Sequence, residues 1–279
     1  MTEPAKAAAV QMVSGDQVDA NLSAAAEGIR RAADRGAELV VLPENFAFMG
    51  RHQTDVLGVA EADSDGPMQT FLARAAERHG ITLVGGSLPL NGPEAGRVRS
   101  ACLVYGPDGQ RLARYDKRHL FDVTLTGGEG YRESSTFAAG DRPVTVDTPV
   151  GRLGLSICYD LRFPEHYREL VAAGAEILLA PSAFTAATGA AHWAILVRSR
   201  AIENLCFMVA PNQGGTHVNN RSTHGESMVV SPWGEVLARC PVGGGAGVAV
   251  APLPLSELAP LRQRFPALTH RQTTDYPGT

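Results

Sequence analysis

Apolar residues in this chain recur in two rhythms, a period of two and a period near 3.6, which alternate along its length. Residues 5–13 (AKAAAVQMV) read as a short buried strand. Residues 21–36 place Leu22, Ala26, Ile29 and Ala33 at helical spacing and close at Gly36. Residues 39–42 form a second apolar run, ended by Pro43 and Glu44. Strand, helix and strand in this order imply a parallel crossover unit. Further on, residues 66–80 read as a helix, 81–88 as a strand, and 98–105 with 111–117 as two strands joined at Pro107-Asp108-Gly109. Lys117 therefore stands at a strand end. Residues 119–141 are glycine-rich and lack a clear period, and a loop of that length is more often functional than idle.

The second half opens where Leu153, Leu155 and Ile157 alternate with Gly154, Ser156 and Cys158. Tyr167, Leu170, Val171 and Gly174 then fall at helical spacing, with Pro164 suited to the first turn and Gly174 to the C-terminal cap. Cys158 sits where the strand hands over to the helix, and N–H groups at such a junction favour a thiolate over a thiol. A strand at 177–180, a helix at 190–204 and a strand at 206–211 follow. Residues 212–226 read as a polar loop, and 227–230 with 236–240 as a hairpin around Pro232-Trp233-Gly234. A last strand at 248–252 precedes a short helix at 256–264. The tail at 266–279 has too few apolar residues to fold alone, so it is either disordered or held by a neighbouring subunit.

The two halves repeat each other. Residues 36–46 read GAELVVLPENF and residues 174–184 read GAEILLAPSAF, each after a helix pattern. The match suggests two related βαβ halves in one fold. Glu44 aligns with Ser182, so the turn itself does not demand a carboxylate. A solvated charge at a strand end is the plain alternative for Glu44.

Composition excludes several classes. The 279 residues suffice for one large core or two small domains, and no obvious linker divides them. A net charge of −4 with no basic run argues against nucleic acid or anionic membrane as a partner. No apolar run is long enough to span a bilayer, and the N-terminus lacks a signal-peptide pattern. Cys102, Cys158, Cys206 and Cys240 lie far apart, which is neither a disulfide framework nor a zinc-ligand spacing and suits a reducing cytoplasm. A buried apolar cysteine is the usual fate of such a residue.

Parallel βαβ units present functional groups at the carboxyl ends of their strands. Glu44, Lys117 and Cys158 all fall there, and their chemistry is complementary. A thiol attacking an amide carbonyl needs a base, which Glu44 can supply. The resulting oxyanion needs donors, which Lys117 and the N–H of Tyr159 can supply.

The segments VVLPENF, YDKRHLFD and GLSICYDLRFPE resemble the three blocks of the nitrilase superfamily of carbon–nitrogen hydrolases, in the same order and spacing. The likeness runs from residue 6 to about residue 272. It implies a four-layer α-β-β-α sandwich spanning residues 1–279 as one domain, with Glu44, Lys117 and Cys158 as a triad. It also implies a second glutamate sixteen residues after the lysine, where Glu133 stands; Glu129 is nearby but off register. Tyr159-Asp160-Leu161-Arg162 after the cysteine, where nitrile-cleaving members usually carry Trp-Glu, is similar to the amidase branch, as are the segments TGAAHW, RSRAIEN and HGESMVVSPWGEV. This implies a cofactor-independent amidase that cleaves a small terminal amide to carboxylate and ammonia through a thioester, with an α-keto amide such as deaminated glutathione as its substrate. Nitrile or N-carbamoyl cleavage on the same machinery, or a redox-sensing thiol, are the alternatives. Relatives are commonly dimers or larger, which implies a homo-oligomer here. The chain departs from the family at Ala194, where members commonly carry Glu, and this puts the pocket wall in question.

Tyr159, Arg162, Phe184 and His192 are the candidates for contact with substrate. Arg162 can grip a carboxylate or pair with Asp160 or Glu165; His192, with Trp193, can equally be helix packing. Ser156 reads as a hydrogen-bonded structural residue, and His119 as support for the loop after Lys117. His217 and His224 have no partner set for a metal site. Cys102, Cys206 and Cys240 lie in apolar strands and read as inert.

Overall fold

In the computed structural model, which describes residues 3–124 and 130–272, two sheets pack face to face and helices cover both outer faces. The first sheet is built from β1 (Lys6–Gln11), β2 (Ala37–Val41), β3 (Thr82–Val84), β4 (Leu88–Asn91), β5 (Val98–Tyr105) and β6 (Arg111–Asp116). A short ribbon, β7 (Asp122–Thr124) with β8 (Gly130–Arg132), leaves this sheet. The second sheet draws on β9 (Thr145–Thr148), β10 (Gly151–Gly154), β11 (Ile177–Leu179) and β12 (Phe207–Ala210). A second ribbon, β13 (Gly214–Thr216) with β14 (Ser222–His224), comes next, then β15 (Met228–Val230) and β16 (Val236–Arg239) of the second sheet. The chain returns to the first sheet with β17 (Gly247–Pro252), so the strand orders are β17-β1-β2-β3-β5-β4, with β6 on β5, and β16-β15-β12-β11-β10-β9.

The period-two pattern explains the layering. Ala7, Ala9, Leu39 and Val41 of the first sheet meet Leu153, Ile177, Leu179 and Val209 of the second in a shared central core. The alternate residues Ala8, Val10, Val40 and Leu42 face the other way, onto helices α1 (Val18–Asp34) and α2 (Pro67–His79). Leu178, Ala180 and Met208 likewise face α3 (Pro164–Ala172) and α4 (Ala186–Asn204). The result is the expected α-β-β-α sandwich. A short α5 (Leu258–Arg264) closes the described chain.

The repeat is structural. β1, β2 and β3 run parallel through α1 and α2, and β10, β11 and β12 run parallel through α3 and α4. Pro164 opens α3, and Gly174 lies just past its end with φ 89°, as a C-terminal cap requires.

Some boundaries differ from the pattern. The predicted strand at 81–88 is two, because Gly86 turns the chain with φ 50° where an added Cβ would lie 2.0 Å from the Pro43 carbonyl. Helix α4 starts four residues before the predicted 190, where the Thr185 side chain accepts the Thr188 N–H. The segments at 119–141 and 212–226, read as loops, each hold a two-stranded ribbon too short for its period to show. No helix among the described residues is long and apolar enough to cross a membrane.

Candidate active site

Cys158 follows β10 in the second sheet, at a sharp turn that holds it in the left-handed region with φ 47°. For a residue with a side chain this conformation is strained, and such strain collects at functional turns. The turn is fixed by its own backbone: the Cys158 N–H donates to the Pro181 carbonyl at 2.9 Å. A 3₁₀ helix (Cys158–Arg162) follows before α3, and the Asp160 N–H is the one that bonds back to the Ile157 carbonyl. The Tyr159 N–H comes one residue too early for such a bond.

The first sheet supplies the groups opposite. Glu44 opens the turn shortly after β2, Lys117 comes directly after β6, and Glu133 opens a 3₁₀ turn (Glu133–Ser135) after β8. Lys117 Nζ donates to Glu44 Oε1 at 2.8 Å and to Glu133 Oε1 and Oε2 at 3.0 and 2.9 Å. The lysine side chain is 2% exposed and that of Glu44 6%, so Glu44 is no solvated strand-end charge. Glu133 also accepts the Phe121 N–H at 2.6 Å. Glu129 lies outside the described residues.

Electrostatics assign the resting charges. Burial alone would lower Lys117, but Glu133 and Glu44 outweigh it and raise the lysine well above its usual value, so it stays an ammonium. Burial raises the Glu133 carboxyl, with Lys117 opposing and Glu44 adding to the rise. At Cys158, burial and then the Glu44 charge push the thiol up, and the opposing pull of Lys117 and the Ala183 N–H is weaker. This corrects the expectation of a thiolate at the strand–helix junction. The resting group is a thiol, because burial disfavours the charged form and the Glu44 carboxylate adds to that.

A cavity of about 400 Å³ opens over these groups, lined among others by Tyr159, Arg162, Phe184 and Arg221. Arg162 pairs with neither Asp160 nor Glu165. Its guanidinium sits 5.5 Å over the Phe184 ring and 3.2 Å from His192 Nδ1. His192 does not line the cavity and reaches it only through Arg162. Trp193 is buried, with Nε1 donating to the Glu226 carbonyl at 2.9 Å. Ser156 is structural as expected: its hydroxyl meets the Tyr167 hydroxyl and the Leu179 carbonyl, each at 2.6 Å.

Several supporting residues escaped the sequence reading. Asp160, fully buried, accepts the Tyr115 hydroxyl at 2.6 Å, the Ile157 N–H at 2.8 Å and the His119 N–H at 3.0 Å, and its Oδ1 lies 2.6 Å from His119 Nδ1. It thus ties the lysine strand to the cysteine turn. Burial works to raise it, but these hydrogen bonds outweigh that and hold its carboxyl below the usual range. His119 also stacks on Phe163 with ring centroids 3.8 Å apart. Gln213 donates to the Glu44 carbonyl at 3.0 Å and to the Ser14 hydroxyl at 2.7 Å, fixing the glutamate turn from below. A charged residue two positions after a candidate nucleophile was the one available signal for Asp160.

The remaining cysteines are buried, and burial pushes their thiols up: Cys102 to about 12, Cys206 and Cys240 each to about 11. His217 spans Ser14 and Thr223, and His224 lies 3.2 Å from Glu226.

Comparison with known proteins gives concordant results. The model of the carbon–nitrogen hydrolase family matches residues 6–263. A deaminated glutathione amidase of Synechocystis is 45% identical over 272 residues, covering 96% of this chain and 98% of the relative. Saccharomyces cerevisiae Nit3, a member of branch 10 of the nitrilase superfamily, superposes with a TM-score of 0.85 at 30% identity, over 98% of this chain and 97% of that one. A mutant of the amidase from Nesterenkonia, whose active-site cysteine has added acrylamide, superposes with a TM-score of 0.77 at 28% identity, over 94% of this chain and 99% of that one.

Proposed function

The chain belongs to the carbon–nitrogen hydrolase family, within the nitrilase superfamily, and from that premise we propose how its residues act as an amidase. The observation that carries the reading is the buried Lys117 ammonium held between Glu44 and Glu133 beside the Cys158 thiol. Glu44 takes the thiol proton as sulfur attacks the amide carbonyl carbon. The carbonyl π electrons move to oxygen, and Lys117 Nζ and the Tyr159 N–H stabilise that oxyanion; a donor of this kind is worth about 3–4 kcal/mol of barrier. Glu44, now protonated, gives its proton to the leaving nitrogen as the C–N bond breaks, leaving a thioester on Cys158. Water then enters, Glu44 removes its proton, and collapse of the second tetrahedral adduct releases the acid and the thiol. Glu133 holds Lys117 and the Phe121 N–H in place, so it is a positioning residue in this scheme.

The substrate follows from the relatives' name: an α-keto amide of the deaminated-glutathione type. A primary amide yields ammonia, and a secondary amide such as those within deaminated glutathione yields an amine; the same proton delivery serves both. Arg162, Tyr159 and Phe184 form the wall that orients the acyl part, with His192 bracing Arg162.

Intact-protein mass spectrometry with a primary amide and with deaminated glutathione tests the scheme. It predicts an acyl adduct on Cys158, and a loss of roughly 10²–10⁴-fold in kcat for Glu44→Gln. Equal turnover by Cys158→Ala would reject it. Parallel assays with a nitrile and an N-carbamoyl amino acid set the bond preference.

The reading extends to assembly and compartment. Ile202, Trp233 and Phe265 are exposed neighbours, and Ile195 is 67% exposed on α4. A second copy covering this surface gives the proposed homo-oligomer, and a monomer mass by light scattering would end that part of it. Four free thiols accord with the cytoplasm.

A further inference from the structure

Glu133 stands in an unfavourable place for a carboxylate, so its turn has to be held. Burial and the Glu44 charge both work against its ionised form, while Lys117 and the Phe121 N–H oppose them. Its side chain is 16% exposed against 2% for the lysine, so Glu133 has a way out to solvent. Part of the hold is backbone. The Thr136 and Phe137 N–H groups donate to the Glu133 carbonyl at 3.1 and 2.9 Å and close the 3₁₀ turn. The Val98 N–H, at the start of β5, donates to the Thr136 carbonyl at 3.0 Å, and the Val98 carbonyl accepts the Ala138 N–H at 2.8 Å. These bonds fix the far end of the turn to the sheet. The Ser134 carbonyl, next to Glu133, is held by a side chain.

That side chain is Arg97, directly before β5. Its Nη2 donates to the Ser134 carbonyl at 3.1 Å and to the Phe137 carbonyl at 2.5 Å, so one donor atom bridges the two ends of the turn. An acid is also in reach, Glu94, but at 3.5 Å and with its carboxylate 66% exposed, a pair worth little. The Arg97 Nε is buried with no hydrogen-bond partner among the described residues. A buried donor left unmet is costly, and here it accompanies the placing of Nη2 over the turn. Gln53 reaches the same segment, with Nε2 donating to the Arg132 carbonyl at 2.7 Å, but at the exposed surface, where water can replace it. Arg97 does not line the cavity and so is out of reach of a substrate there.

We propose that Arg97 is a positioning residue: it holds the turn so that the Glu133 carboxylate stays on Lys117 and the ammonium stays aimed at the oxyanion formed beside Cys158. The inference rests on the amidase reading above and extends it to a residue outside the cavity. Without the guanidinium, the Ser134 end of the turn is free to swing Glu133 toward water, away from burial and from Glu44. Lys117 is then held by Glu44 alone and is drawn toward the base instead of the oxyanion.

The test is a double-mutant cycle of Arg97→Ala and Glu133→Ala, assayed with propanamide and with deaminated glutathione. Losing an oxyanion donor outright costs roughly 10²–10³-fold in kcat, and a displaced donor costs less. Arg97→Ala alone lowers kcat about 20-fold for both amides, with KM within about twofold of native. In the Glu133→Ala background the same substitution lowers kcat by less than about twofold, because the carboxylate it positions is gone. Arg97→Lys, which keeps a cation before β5, regains part of the loss. Equal falls in both backgrounds mark a general structural role and overturn the proposal, as does an unchanged kcat in Arg97→Ala. A crystal structure of Arg97→Ala reads the contact without turnover: the Glu133 carboxylate leaves hydrogen-bond reach of Lys117 Nζ, while Glu44 keeps it. A Glu133 carboxylate still on the ammonium overturns the proposal whatever the kinetics. Arg97→Gln, shorter and uncharged, serves in both measurements if Arg97→Ala does not fold. If the native protein hydrolyses neither amide while that displacement is seen, the amidase reading fails and the hold of Arg97 on Glu133 stands.

Discussion

Burial keeps Cys158 a thiol, and the Glu44 charge facing it adds to the effect. Because Glu44 raises the thiol, its neutralisation lowers it: in Glu44→Gln the thiolate absorbance near 240 nm develops at lower pH than in the native protein, even as turnover is lost. An unchanged titration would mean that burial alone sets the thiol. Asp160 gives a second residue-level expectation. Its folded carboxyl is held below the unfolded value, so its contribution is present above the unfolded pKa, about 3.9, and is lost as pH falls through the folded value. Asp160→Asn should cost about 2–3 kcal/mol at pH 7, from hydrogen bonds to a buried charge. The gap to the native protein should close in urea titrations below about pH 4. The grouping of Glu44, Lys117 and Cys158 was legible because each sits in a short motif at a strand end. The roles of Asp160 and Arg97 were not, since what each does depends on partners 40 or so residues away (Tyr115 and Phe137) that no local pattern links to them.

Among elements, the most informative join is between the Glu44 turn and the break after β3. Gly86 approaches the Pro43 carbonyl so closely that no side chain fits, and the Ser87 hydroxyl accepts the Asn45 N–H at 2.9 Å. Gly86→Ala should therefore cost more than about 2 kcal/mol in denaturant unfolding and also lower kcat, because the turn that must move carries Glu44. An active, equally stable variant would show that the turn yields freely. The helices and long strands were readable from their periods, and the GAE repeat correctly marked β2 and β11 as counterparts. The ribbons β7–β8 and β13–β14 were not. Three residues per strand are too few to display alternation, and both are defined by the neighbours they reach.

Across the molecule, one ion triad concentrates much of the risk of folding. Removing the lysine leaves Glu44 and Glu133 facing each other without their cation. Lys117→Met should cost about 3–5 kcal/mol of stability as well as activity. A triple variant that also replaces both glutamates by glutamine should recover stability but not catalysis, and thermal melts of the two variants check this. The α-β-β-α layering was visible as alternation within each strand, whereas the facing of the two sheets rests on long-range packing of small residues such as Ala7, Ala9, Ala249 and Ala251.

The Asp160 tie between the lysine strand and the cysteine turn crosses the seam where the sheets meet. The His119 amide proton, which donates to Asp160 across that seam, is therefore a sentinel: it stays slow to exchange only while both halves remain docked. Opening of the seam would expose it to deuterium and part Lys117 from the Cys158 turn in the same event, so loss of that protection and a change in the alkylation rate of Cys158 should keep common time.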